Sequence, residues 1–162
     1  MNSIRAKIWY LLADSKTNEK YSSLVVKKYQ ILDLITNIFL ALTTSTSIAA
    51  WTIWNKFPAL WILIIGISQV LMIFKPYFLF PKYIKVFNEK SIRWQQMTVD
   101  LEQLWFELNE SNIDNNAASK SYFEFKRQIL TFDNIPEELI FFHHKKQLTL
   151  AENECNIFLT KI

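Results

Sequence analysis

At 162 residues, with a net charge of +3 and one cysteine, the chain amounts to one domain's worth of protein, cannot form an internal disulfide, and has too little excess charge to imply a nucleic-acid partner. Half of it is apolar, yet it holds one glycine, Gly66, so neither a glycine-rich phosphate loop nor a series of Asn-Gly hairpin turns can be built. The expected fold class is all-α.

In chain order, residues 4–12 form an amphipathic helix, the polar segment DSKTNEK (14–20) reads as a break, and a second helix starts near Tyr21. That helix runs on into the first long apolar stretch, because YSSLVVKKYQILDLITN contains no Pro or Gly. The early apolar cluster 8–13 is too short, and lacks the small-residue cleavage pattern, for a secretory signal.

Residues 34–55 and 57–74 carry no charge, and only Lys56 separates them. A helix of about 20 residues crosses the hydrocarbon core of a bilayer, so the two stretches read as a transmembrane hairpin with spans of about 34–55 and 57–75. The alternative is a buried apolar hairpin in a soluble helical protein, but soluble helices of this length normally keep a charged face. Arg5, Lys7, Lys16, Lys20, Lys27 and Lys28 precede the hairpin, and Lys75, Lys82, Lys85, Lys90 and Arg93 follow it. By the positive-inside rule both termini are cytoplasmic. Three regions result: N-terminal amphipathic helices over 1–32, the hairpin over 33–80 and a helical region over 81–162.

Pro58 suits the first position of the second span, where its missing N–H costs nothing. Pro76 and Pro81 in KPYFLFP should kink or break the helix at the far end. Trp51, Trp54, Phe57 and Trp61 at one end, with Tyr77, Phe78 and Phe80 at the other, form two anchoring aromatic belts.

Beyond the hairpin, Phe87, Trp94, Met97, Leu101, Leu104 and Leu108 mark one helical stripe, widened by Trp105. Its last five members alternate steps of three and four, a short heptad seam. It suits either packing against the chain's own N-terminal helices or association of subunits. NESNIDNN (109–116) follows as a linker. Asn134 with Glu137, and Thr149 with Glu152, have capping-box spacing and mark helix starts. Tyr122, Phe125, Ile129 and Leu130 give one C-terminal helix its apolar face; Leu139 and Phe142 do so for the next.

No catalytic constellation emerges, and no enzyme activity, cofactor or metal is expected. His143 and His144 are adjacent and diverge by about 100° on a helix, so with Lys145 and Lys146 they read as a solvated, helix-end basic patch. Glu102 and Glu107 belong to ordinary helix-surface charge, and Cys155, beside Glu152 and Glu154, is a surface or packing residue. Lys120, Lys126 and Arg127 could meet an anionic ligand, although their alternation with Tyr122, Phe123 and Phe125 is what an amphipathic helix produces anyway.

The first span holds five consecutive hydroxyl residues, 43–47. Asp33, Asn37, Thr44 and Ser47 fall near one face with Leu40 and Ala41, bordered by Thr36, Thr43 and Ala50. A carboxylate at the membrane boundary, followed by an amide and hydroxyls, suits a water-lined cation path enclosed by several copies. Gluing hairpins together suits it equally. Both uses require an oligomer. Gly66, Ser68 and Gln69 are expected where the two spans cross closely.

This layout resembles the SLATT family, through KIWYLLADS, the Tyr-rich approach KYSSLVVKKYQILDL, the hairpin, and the exit helix VFNEKSIRWQQMTVDLEQLWFELN. The resemblance covers about residues 1–110. It implies a homo-oligomeric effector in the bacterial inner membrane, forming or opening a pore during antiphage defence and causing growth arrest or death. It carries over no catalytic residues, and the trigger it leaves open is a regulatory protein or a nucleotide second messenger. The rival function is a membrane-anchored helical interaction module without conductance.

Overall fold

The computed structural model describes residues 3–44, 58–110, 113–136, 139 and 144–160, and among these the only regular secondary structure is helical. Among the described residues five α-helices follow in order: α1 Ile4–Thr44, α2 Pro58–Phe74, α3 Phe80–Asn109, α4 Asn115–Phe132 and α5 Lys145–Leu159. A 3₁₀ turn, Lys75–Tyr77, follows α2 directly. The chain divides into two compact units, one of Met1–Lys27 with Tyr83–Ile162 and the other of Lys28–Lys82.

In the first unit, residues 4–27 of α1 pack with α3, α4 and α5. The expected break at DSKTNEK does not occur, since α1 is helical from Ile4 to Thr44. Its buried positions explain why: Ile8, Leu11, Leu12, Ser15, Ser22, Val25 and Val26 form one stripe at helical spacing, and two of them are serines that hydropathy hides. Ser15 is enclosed in the core, where it donates to the Trp94 carbonyl at 3.5 Å and accepts from the Thr98 hydroxyl at 3.3 Å. The charged residues of the segment border this stripe, where Lys16 and Glu19, both largely covered, pair at 2.9 Å one turn apart.

The buried face of α3 is longer than the expected seam. Tyr83, Phe87, Lys90, Trp94, Met97, Leu101, Leu104 and Leu108 are all buried, in alternating steps of four and three. Lys90 is the one charged member, and it is satisfied by Asp133, the residue that ends α4. Leu11, Leu12, Trp94, Met97 and Leu101 make one core cluster; Ile8, Leu104, Leu108 and Ala118 make a second. Trp105, Tyr122 and Phe125 lie against both. Trp9 meets Trp105 with ring centroids 5.0 Å apart, and Phe132 meets Trp94 edge-on at 5.0 Å, contacts each worth about 0.5–1.5 kcal/mol beyond buried area.

Helix ends are served locally. The Asp114 carboxylate accepts from the Asn116 N–H at 3.4 Å and starts α4 inside the segment expected to be linker. Arg5 donates to the Leu108 carbonyl at 3.2 Å in the last turn of α3, from a distant part of the chain. The expected start at Thr149 is displaced, for α5 begins at Lys145 and the Thr149 hydroxyl donates back to the Lys145 carbonyl at 3.2 Å. Past Asn134, Leu139 lies in a 3₁₀ turn, its N–H donating to the Pro136 carbonyl at 2.9 Å, and Glu137 lies outside the described residues.

In the second unit, the ring of Tyr29 on α1 lies 5.7 Å from that of Phe80, so the chain leaves and returns at one place. Phe80 also meets Phe78 at 5.0 Å. Pro58 is the first residue of α2, and the helix stops at Phe74 before the prolines of KPYFLFP.

Candidate functional site

The polar stripe of α1 begins at Asp33. Asn37 stands one turn on, which puts both side chains on one face, and its amide donates to Asp33 Oδ2 at 3.0 Å. The hydroxyls nearby turn to their own helix. Thr36 donates to the Leu32 carbonyl at 2.8 Å, and Thr43 to the carbonyls of Phe39 and Leu40 at 3.1 and 3.0 Å. Thr44 is the last residue of α1, while Ser47 lies outside the described residues, as do Ile48, Ala50, Trp51, Trp54, Lys56 and Phe57.

Burial around α1 is uneven. Asp33, Thr36 and Asn37 are half-buried and Leu40 is buried, whereas Leu34, Ile35, Ile38 and Leu42 are exposed. The polar stripe is thus the better covered side of the helix. On α2, exposure reaches nearly all round: Leu60, Ile62, Leu63, Ile65, Ile67, Val70, Met72, Ile73 and Phe74 all lie open, Ile62 at 71%. Among the described residues of this helix Ser68 is buried, donating to the Ile65 carbonyl at 2.8 Å.

Among the described residues nothing approaches Gly66 closely: a methyl group placed there would meet none of them within 4 Å. Most of the span expected to cross it, 45–55, lies outside the described residues.

Among the described residues no single helix is long and apolar enough to cross a membrane. One bent pair, Ile62–Tyr77 with Phe80–Asn109, passes on length and composition. The 17 residues of α2 span about 25 Å, short of a hydrocarbon core of about 30 Å. Much of the expected first span falls at 45–55, outside the described residues.

Trp94, Met97, Leu101, Leu104 and Leu108 are buried within the chain's own core, against α1 and α4. They present no surface to a second copy. The Trp94 indole N–H has no acceptor among the described residues. Leu130, expected on the apolar face of α4, points outward; Phe132 takes that place against Trp94. Leu139 is buried, its carbonyl accepting from the Tyr83 hydroxyl at 3.1 Å, and Phe142 lies outside the described residues.

The expected basic patch is divided. His144 is buried edge-on to Tyr83 and Phe87, with centroids 5.9 and 6.5 Å away, and it opens α5 as its N-cap. Lys145 and Lys146 are exposed in the first turn, and His143 lies outside the described residues. Tyr21 borders this aromatic cluster, its ring 6.1 Å from Phe87. Burial, and then the neighbouring Tyr83, raise its phenol above the usual pKa of 10.0. Cys155 is buried and donates from Sγ to the Ala13 carbonyl at 3.4 Å, fastening α5 to α1.

No group of three or more His, Cys, Asp or Glu able to hold a metal occurs among the described residues. An open groove of about 300 Å³ lies between α1 and α5, where Lys20 pairs with Glu154 at 3.4 Å and Lys16 sits 4.5 Å over the Phe158 ring. A polar cleft of about 260 Å³ holds Glu89, Lys90 and Arg93 beside Thr131 and Asn134. No family model, curated protein or solved structure matches this chain.

Proposed function

We propose that the protein is a membrane effector in which the unit Lys28–Lys82 is embedded in lipid, copies associate, and the assembly forms or opens a pore, in the manner its resemblance to SLATT proteins implies. The observation that carries the embedding is α2: an uncharged helix on which nine large apolar side chains between Leu60 and Phe74 lie open. In water such a surface far exceeds the scattered apolar residues a soluble monomer exposes, and hydrocarbon is the solvent that accepts it. The exposed side of α1, Leu34, Ile35, Ile38 and Leu42, extends the same demand.

The conducting path would follow Asp33, Asn37, Thr44 and Ser47, with the carboxylate at its cytoplasmic mouth. Gating would be a shift of population: a regulatory protein or a nucleotide messenger binds the open assembly better than the closed one. Conductance of the purified chain in planar bilayers tests this. The expected result is current that disappears when Asp33 and Asn37 are both replaced by Leu while membrane incorporation is unchanged.

A second reading is a tethered helical module without conductance. It is favoured by the half-covered polar stripe and by Thr36 and Thr43 spending their hydroxyls on their own helix. It predicts silent bilayers and harmless Leu replacements.

A further inference from the structure

Helix α4 carries a second apolar feature that its packing leaves unused. Its inward side accounts for Ala118, Tyr122, Phe125, Ile129 and Phe132. Phe123 and Leu130, two turns apart, remain at 54% and 76% exposure on the opposite side. At 100° per residue, the positions within about 60° of Phe123 include Lys120, Lys126, Arg127 and Leu130, and no acid. All three cations are exposed and have no ion-pair partner among the described residues. Glu124 lies about 100° away, and Asp133 is engaged by Lys90.

We infer that this face, Lys120, Phe123, Lys126, Arg127 and Leu130, docks on the anionic headgroup surface of a lipid bilayer. Three exposed cations around two open apolar side chains complement a surface that is negative outside and apolar just beneath, with the cations meeting phosphates and the Phe123 ring and Leu130 methyls entering the acyl boundary. An outward row on α3 shows the contrast. Ile92, Val99 and Phe106 are also exposed at seven-residue spacing, but the positions within about 60° of Val99 include Gln95, Gln96, Glu102 and Gln103 and no cation, so an anionic surface finds nothing to attract it there. Leu130 also favours lipid over nucleic acid, since an aliphatic side chain offers no plane for a base to stack on. The inference deepens the proposed function, resting on it for the cytoplasmic leaflet, the one rich in anionic lipid, as the surface met.

The test uses the full chain with Cys155→Ser and Leu130→Cys, labelled at position 130 with an environment-sensitive dye and mixed with vesicles carrying a headgroup-level nitroxide quencher. Vesicles are phosphatidylcholine alone or with phosphatidylglycerol. Quenching should be severalfold stronger with phosphatidylglycerol, should fall in high salt, and should drop to the neutral-lipid level in Lys120→Gln/Lys126→Gln/Arg127→Gln, each cation being worth about fivefold in partition. A dye on Glu152→Cys, on the exposed side of α5, should show no such lipid dependence. Equal quenching in both vesicles, or a response to single-stranded oligonucleotide instead of anionic lipid, overturns the inference. Incorporation into neutral vesicles is read separately by flotation. A chain that floats with neutral vesicles but shows no lipid-dependent quenching retains the embedding and loses this face, and a chain that binds only anionic vesicles does the reverse.

Discussion

Lys90 donates from Nζ to Asp133 Oδ1 at 2.7 Å and to the Asp133 carbonyl at 3.3 Å, joining the middle of α3 to the end of α4. The lysine is buried and the carboxylate half-exposed, so removing one partner costs more than at a surface bridge and less than at a pair sealed in the core. Asp133→Ala strands the ammonium with one carbonyl and should cost about 1–3 kcal/mol in denaturant unfolding. Lys90→Met keeps the stem and removes the charge, and should cost less than Asp133→Ala. The reverse order would show that the pair does not hold the two helices.

The α3 seam is an intramolecular core. Leu101→Ala, at a position with 0% exposure, should lose about 2–5 kcal/mol, independently of protein concentration. Phe106→Ala, at 60% exposure, should change stability by less than about 0.5 kcal/mol. A concentration-dependent loss at Leu101 would instead mean that the seam belongs to a subunit interface.

Tyr21 makes stability fall at alkaline pH. Its folded pKa is raised above 10.0, so above pH 10 the folded state holds a proton that the unfolded state has released. The contribution is whole below that pH and is lost as pH rises through the folded value. Tyr21→Phe keeps the ring against Phe87 and should flatten the alkaline decline in melting temperature. It should also remove a late-ionising phenol from the ultraviolet titration.

Gly66→Ala should be tolerated and should raise helix stability by up to about 1 kcal/mol, since the added methyl meets open space. A lower melting temperature in detergent would mean that a partner helix crosses there.

Much of the fold was legible because the apolar residues of α3 and α4 repeat at helical spacing, and because Pro58, Pro76 and Pro81 punctuate the chain where helices begin or end. What escaped was polar chemistry inside the core. Ser15 and Ser22 occupy buried positions of α1, so a stretch that reads as a hydrophilic break is a packed helix. Lys90 interrupts the seam in hydropathy but not in space, because its charge has a partner 43 residues away that spacing cannot reveal. Leu130 misled in the opposite sense: an apolar residue beside Ile129 reads as core, yet a 100° step carries it to the outer face. The candidate site was legible only in part. Asp33 and Asn37 share a face as their spacing requires, whereas the coverage of that face by the rest of the chain has no signature in sequence.

The account depends on lipid as the solvent of α2, and alkaline carbonate extraction of membranes from expressing cells tests this most directly. The chain should stay in the washed pellet and leave it only with detergent. Release into the carbonate supernatant, followed by recovery as a stable detergent-free monomer, would contradict it.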